Sequence, residues 1–216
     1  VRSAWSSFLP PDMPGGLRPL RNPDATNEVR RRAPSGDSII RLVSRSAGCY
    51  EHRVTVFVCS ACGLAITGPL TELPGVPARP GDQGYPKADG SRRATATMPL
   101  GFFSLEPEPW GAPLVPCAEP RPVFAGGPCL GDPDDVDGFL VSAGTRNTVV
   151  LHPDDARGLR EDTDYLRHCS GCCGLHGQAG MNRQCPCGAH VGTLVNDCNT
   201  AYELHLEPGQ VRSITD

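Results

Sequence analysis

The sequence has one lysine, Lys87, four isoleucines and an aromatic content of only 6%. Almost all of its positive charge is therefore arginine, which reads as the codon usage of a high-GC bacterial genome. With 38% hydrophobic residues and so few aromatics, the expected core is modest for 216 residues, which favours an external staple. No apolar run is long enough to cross a bilayer. The N-terminus also lacks the charged segment and apolar stretch of a secretory leader. The expectation is a soluble cytoplasmic protein, where thiols stay reduced and cysteine pairs serve metals or redox chemistry in preference to disulfides.

Several catalytic signatures are missing as well. There is no Gly-rich phosphate loop followed by Lys-Ser/Thr and no GxGxxG after a strand. No HExxH or GxSxG occurs, nor the His-x-Glu, Pro-Cys-x-x-Cys order of zinc deaminases. The segment Asp132–Gly138 resembles a calcium loop, but Val136 occupies the fifth position and no Glu closes the loop, so a solvated acidic turn is expected.

Glycine and proline are abundant, 25 and 23 residues. That much punctuation favours short strands over helices. The expected fold is mainly β with long Pro/Gly-rich loops, zinc-ribbon-like metal sites and one short helix near 153–160. Pro153 with Asp154 and Asp155 gives the helix its N-terminal signature, and Gly158 limits its length.

Residues 1–48 carry eight Arg against four acids, while the remainder of the chain carries a net −8. The first segment has no sustained period and is expected to be a disordered basic extension. Residues 49–216 are expected to form a single Cys-rich β domain. Its first strand is His52–Cys59, with Val54, Val56 and Val58 alternating. Further strands are expected at Arg93–Met98, Gly101–Leu105, Gly138–Ser142 and Asn147–Leu151, with Gly144 between the last two suiting a hairpin or a tight turn. Ala201–Leu206 alternates apolar Tyr202, Leu204 and Leu206 with Glu203 and His205, the pattern of a half-buried strand. Residues 68–135 are expected to be loop with a few short edge strands.

The eleven cysteines are the strongest signal in the chain. Cys59-Ser-Ala-Cys62-Gly63 follows a strand, and Cys185-Pro-Cys187-Gly188 comes later. Two cysteines at a tight turn place both sulfurs on one side, and a glycine after the second permits positive φ. Two such turns supply the four ligands of a tetrahedral site. The preferred set is Cys59, Cys62, Cys185 and Cys187. Cys172, Cys173 and Cys198 begin a second set, with His176 preferred as its fourth ligand and His190 or Cys169 as alternatives. The cofactor expected is zinc, one or two ions. Cys117 and Cys129 read as free thiols and Cys49 as incidental. His52, His152, His168 and His205 read as surface or hydrogen-bonded polar residues.

The blocks "VCSACG" and "SGCCGLHGQAGMNRQCPCGAHVGTLVNDC" resemble a Cys-rich zinc-binding protein family of high-GC Gram-positive bacteria. The matching positions are Cys59, Cys62, Cys172, Cys173, Gly174, Gly177, Asn182, Cys185, Cys187, Gly188, Asp197 and Cys198. The chain departs from that pattern at His176, where Asp is expected, and at His190, where Glu is expected. The resemblance implies zinc binding and no particular activity.

Three functions follow as expectations. The first is a zinc-stabilised binding or structural module for a protein or small molecule, using Trp110, Phe102 and Phe103 as exposed anchors. The second is an enzyme or thiol-based metal or redox handler, with an open metal site or a reactive thiol. The third is a nucleic-acid-binding ribbon, which the −8 balance of residues 49–216 opposes because phosphate contacts dominate such binding. No catalytic residue is assigned, and no membrane partner is expected.

Overall fold

Alternating valines make "VTVFVC" extended, and eleven further short strands follow it. A computed structural model describes residues 53–164 and 171–216. Cys49, His52, His168, Cys169 and the basic segment 1–48 lie outside the described residues. In chain order the strands are β1 (Val54–Cys59), β2 (Leu70–Glu72), β3 (Phe102–Glu106), β4 (Leu114–Cys117), β5 (Leu130–Asp132) and β6 (Asp135–Ser142), then β7 (Thr148–Leu151), β8 (Arg160–Glu161), β9 (Arg183–Gln184), β10 (His190–Val195), β11 (Glu203–Leu206) and β12 (Val211–Thr215). Nine of them form one sheet in the order β12-β1-β2-β3-β7-β11-β10-β9-β8, and β4-β6-β5 form a second. Among these described strands, only β2 and β3 pair in parallel. The mainly β expectation holds, and among the described residues no helix is long and apolar enough to cross a membrane.

Residues opposite one another on antiparallel strands share a face. Phe103 faces Leu151, which faces Leu204, which faces Leu194. With Phe57, Leu70, Val149 and Leu206 they form the main apolar core. The other face is different in kind. Ser104 faces Val150, Val150 faces His205, and His205 faces Thr193, while Glu106 faces Thr148. A smaller cluster of Trp110, Val123, Phe124 and Val195 lies on that side, with Leu114 and Leu130 of the three-stranded sheet packed against it.

Several local expectations are corrected. The helix near 153–160 is a single 3-10 turn, Pro153–Asp155, capped by His152 Nδ1 accepting from Asp154 N at 3.0 Å. It stops there because Arg157 N donates to Ile66 O at 2.8 Å, which draws the chain back to an extended path. The expected hairpin does not form, since β6 and β7 belong to different sheets. Their link is held at one end by Ala143 N donating to Pro113 O (2.8 Å) and at the other by Asn147 N donating to Glu106 O (2.7 Å). Arg93–Met98 makes one bridge, Ala96 to Tyr202, and no strand. β11 is buried on both faces, Glu203 and His205 included, because a second layer covers the face that alternation assigned to water. That layer also buries Trp110, and Phe103 is buried in the main core, so neither is an exposed anchor; Phe102 is half-buried.

Candidate metal centre

Two turns with the same hydrogen-bonding plan carry the first set of thiols. At the end of β1, Cys59 N donates to Leu64 O at 2.9 Å, and Gly63 N donates to Cys59 O at 2.8 Å. Between β9 and β10, Cys185 N donates to Ala189 O at 2.9 Å, and Gly188 N donates to Cys185 O at 2.8 Å. The second turn is the first with one residue removed. Gly63 at φ 76° and Gly188 at φ 91° close them in the left-handed region, where a side chain would be strained.

The turns bring Cys59, Cys62, Cys185 and Cys187 together with all four sulfurs within 4.8 Å of one another. The Cys59–Cys187 Sγ separation is 3.8 Å and the Cys62–Cys185 separation 3.6 Å. A tetrahedron of thiolates about 2.3 Å from a zinc ion has edges of about 3.8 Å. Two of the six sulfur–sulfur separations thus match such an edge, and the other four are no longer than 4.8 Å. Cys59 and Cys185 are buried members of the main core, and Cys62 and Cys187 are exposed. Burial pushes the Cys185 thiol up to about 12, while the Ala189 backbone amide and the neighbouring sulfurs bring Cys187 down to about 7. Four adjacent thiols cannot all ionise unaided; a cation of charge two or more would let them.

In the sheet order, five strands separate β1 from β9. The sheet curls so that these flanks meet over the main core, and the four thiols stand where they meet. A metal there would tie the two flanks together across the curl.

The second set is Cys172, Cys173, Asp197 and Cys198. Cys198 and Asp197 are buried, and Cys172 and Cys173 are exposed. The Cys172 thiol raises Cys198 to about 12, with burial acting in the same direction. His176, the preferred fourth ligand, is not in the set; its Nδ1 accepts from Gln178 N at 2.8 Å. His190 pairs with Asp162 at 2.7 Å and Gln184 at 3.0 Å and belongs to neither set. Cys117 and Cys129 stand apart from both. Asp197 went unrecognised as a site residue. Its signal in the sequence was its place in the matched Asp197–Cys198 pair, directly before a cysteine.

Compared with protein-family models, with curated proteins and with solved structures, the chain gives no match.

Proposed function

We propose that this chain is a zinc-stabilised protein whose role is structural or binding, with Cys59, Cys62, Cys185 and Cys187 as the ligands of the first ion. The single observation behind this reading is the sulfur quartet, two of its separations at a tetrahedral edge, supplied by two Cys–Gly turns. Soft thiolates in a tetrahedron suit zinc or iron. A quartet of protein ligands leaves no open position, the mark of a structural site as against a catalytic one. A structural zinc contributes on the order of 10 kcal/mol to folding at neutral pH. That is a large fraction of what is needed to close a sheet of short strands upon itself, since domains are stable by only about 5–15 kcal/mol. The ion's part is electrostatic: it neutralises the thiolates and fixes the two flanks of the sheet.

Metal content of protein purified without added zinc tests the proposal. The expected result is zinc in at least one equivalent, falling by one in Cys62→Ser, whose exposed position perturbs the core least. Metal-free protein that is fully folded would sink it.

One observation favours a second reading alongside, that of a metal or thiol handler: the exposed thiols of Cys172 and Cys173.

A further inference from the structure

The two cysteine clusters of this chain differ in spacing. In the first, Cys59 and Cys187 stand 3.8 Å apart at their sulfurs and Cys62 and Cys185 3.6 Å, close to the edge of a thiolate tetrahedron. In the second, Cys172 Sγ lies 2.8 Å from Cys198 Sγ. That is about 1 Å short of the edge a zinc ion needs. Non-bonded carbon atoms rest about 3.5–4.0 Å apart, and sulfur is larger than carbon. A disulfide bond measures about 2.05 Å, so the pair stands nearer to a bond than to a ligand edge.

Backbone hydrogen bonds hold the two thiols in that approach. Asp197 Oδ1 accepts from Cys173 N at 2.7 Å and from Gly174 N at 3.0 Å. Asn196 Oδ1 accepts from Leu175 N at 2.7 Å, and Leu175 O accepts from Asn196 N at 2.9 Å and Asp197 N at 3.1 Å. These bonds tie the chain on either side of Cys172 and Cys198 together next to both sulfurs. Gly171 is pressed against the same clamp, where a Cβ would stand 2.5 Å from Asp197 Oδ1. Because the segments are already joined, a bond between the sulfurs closes no loop that folding has not closed before it.

The two thiols differ in access. Cys172 and Cys173 are exposed and Cys198 is buried. A reagent from solution therefore meets Cys172 first, and the shielded Cys198 waits against it. Cys173 and Asn196 line a cavity of 430 Å³ beside the pair, within the size range of small-molecule sites.

We propose that Cys172 and Cys198 are a dithiol–disulfide pair that exchanges with low-molecular-weight disulfides. The Cys172 thiolate attacks one sulfur of a disulfide RSSR; the Cys172–SR bond forms, the S–S bond of RSSR breaks and RS⁻ leaves. The Cys198 thiolate then attacks Cys172 Sγ, which forms the internal disulfide and releases the second RS⁻. Two protein thiols are oxidised, one RSSR is reduced to two RSH, and the two protons shed by the cysteines end on the two RS⁻. The proposal rests on the thiol half of the second reading and holds whichever ion fills the first quartet.

Oxidised glutathione is the probe. The full chain would be incubated with it and digested without reduction, and fragmentation of the linked peptides would assign the sulfurs. One link is expected, Cys172 to Cys198, removed by dithiothreitol. It should persist in Cys173→Ser and be lost in Cys172→Ser, both changes at exposed positions. In Cys173→Ser/Cys198→Ser the first attack remains and the second is gone, so glutathione should accumulate on Cys172, where in the parent chain it is only transient. Zinc content should be equal before and after oxidation. A link from Cys172 to Cys173 or Cys169 would overturn the pairing and leave thiol exchange standing, whereas no reaction at any thiol would remove both. A second equivalent of zinc that is released on oxidation and missing from Cys172→Ser would make the cluster a metal site and overturn the proposal as well.

Discussion

His205 Nε2 lies 2.7 Å from a carboxylate oxygen of Glu203, two residues earlier on β11, with both side chains buried. Glu203 also accepts from Arg79 Nε at 2.8 Å, and Arg79 Nη2 reaches Glu106 at 2.8 Å. An ionised Glu203 can only accept, so His205 carries its proton on Nε2, and Nδ1 accepts from Thr148 Oγ1 at 2.9 Å. Trp110 stacks on the imidazole with ring centres 3.5 Å apart and planes 12° from parallel. Arg79 pairs with both buried carboxylates, Glu106 and Glu203. Arg79→Ala should cost about 3–5 kcal/mol, the range for breaking a buried pair by removing one partner. Urea unfolding at neutral pH measures it, and a loss below about 1 kcal/mol, the scale of a surface pair, would show that water already screens the row.

The same row fixes the direction of the pH response. Burial alone would raise Glu203, but hydrogen bonding from His205 and the charge of Arg79 outweigh it and hold the carboxyl at about 2. Burial lowers His205 below its ordinary value, against the pull of Glu203. In both cases the unfolded chain binds the proton more readily, so stability rises with pH and falls as acid is added. The His205 contribution is present above about 6.5 and is lost as pH drops below it; the Glu203 contribution is lost between about 4.5 and 2. Each proton contributes a slope of at most about 1.4 kcal/mol per pH unit. Metal release adds to the same fall, so the measurement is a comparison: His205→Gln should flatten the part that begins below 6.5 and leave the metal-linked part unchanged. Parallel curves for the two proteins would remove His205 from the account.

The first quartet was legible in the sequence because its signal is local: a strand, two cysteines, a glycine. Each turn is complete within a few residues, and only their meeting needed the fold. β1, β3, β7 and β11 were legible for a similar reason, through alternation or a run of apolar residues. What misled was the side facing away from the main core. Glu203 and His205 alternate with leucines as solvent-facing residues do, and nothing within β11 reveals that Arg79, Thr148 and Trp110 arrive from distant segments to satisfy them. β10 escaped notice because it is buried almost throughout and so shows no alternation.

Trp110 offers a direct separation of packing from docking. It is buried against Phe124, at 4.6 Å between ring centres, and against His205, and its Nε1 donates to Ala125 O at 3.3 Å. Trp110→Ala should cost about 3–5 kcal/mol, the usual range for emptying a large aromatic site in a core, seen as a lower urea midpoint. Trp110→Phe should recover most of this while losing the indole hydrogen bond. A Trp110→Ala protein with unchanged stability would mean that the layer over His205 opens freely, and Trp110 would return as a surface for partners.

Thiol labelling distinguishes metal ligation from mere burial. Cys62 and Cys187 are exposed, as is Cys129, and Cys117 is half-buried. By access alone Cys62, Cys187 and Cys129 should react with an alkylating reagent at comparable rates, and Cys187, brought to about 7, should lead because the thiolate is the nucleophile. A bound metal reverses that order by occupying the sulfur lone pairs of Cys62 and Cys187. In the native protein Cys129 and then Cys117 should therefore be modified while Cys62 and Cys187 are spared, and a chelator should release both at once, with Cys187 first. Mass spectrometry of the alkylated peptides reads the order. If Cys187 is modified first without a chelator, the quartet holds no metal in solution, and the low value at Cys187 would mark a reactive thiol, the redox reading, in place of a zinc ligand.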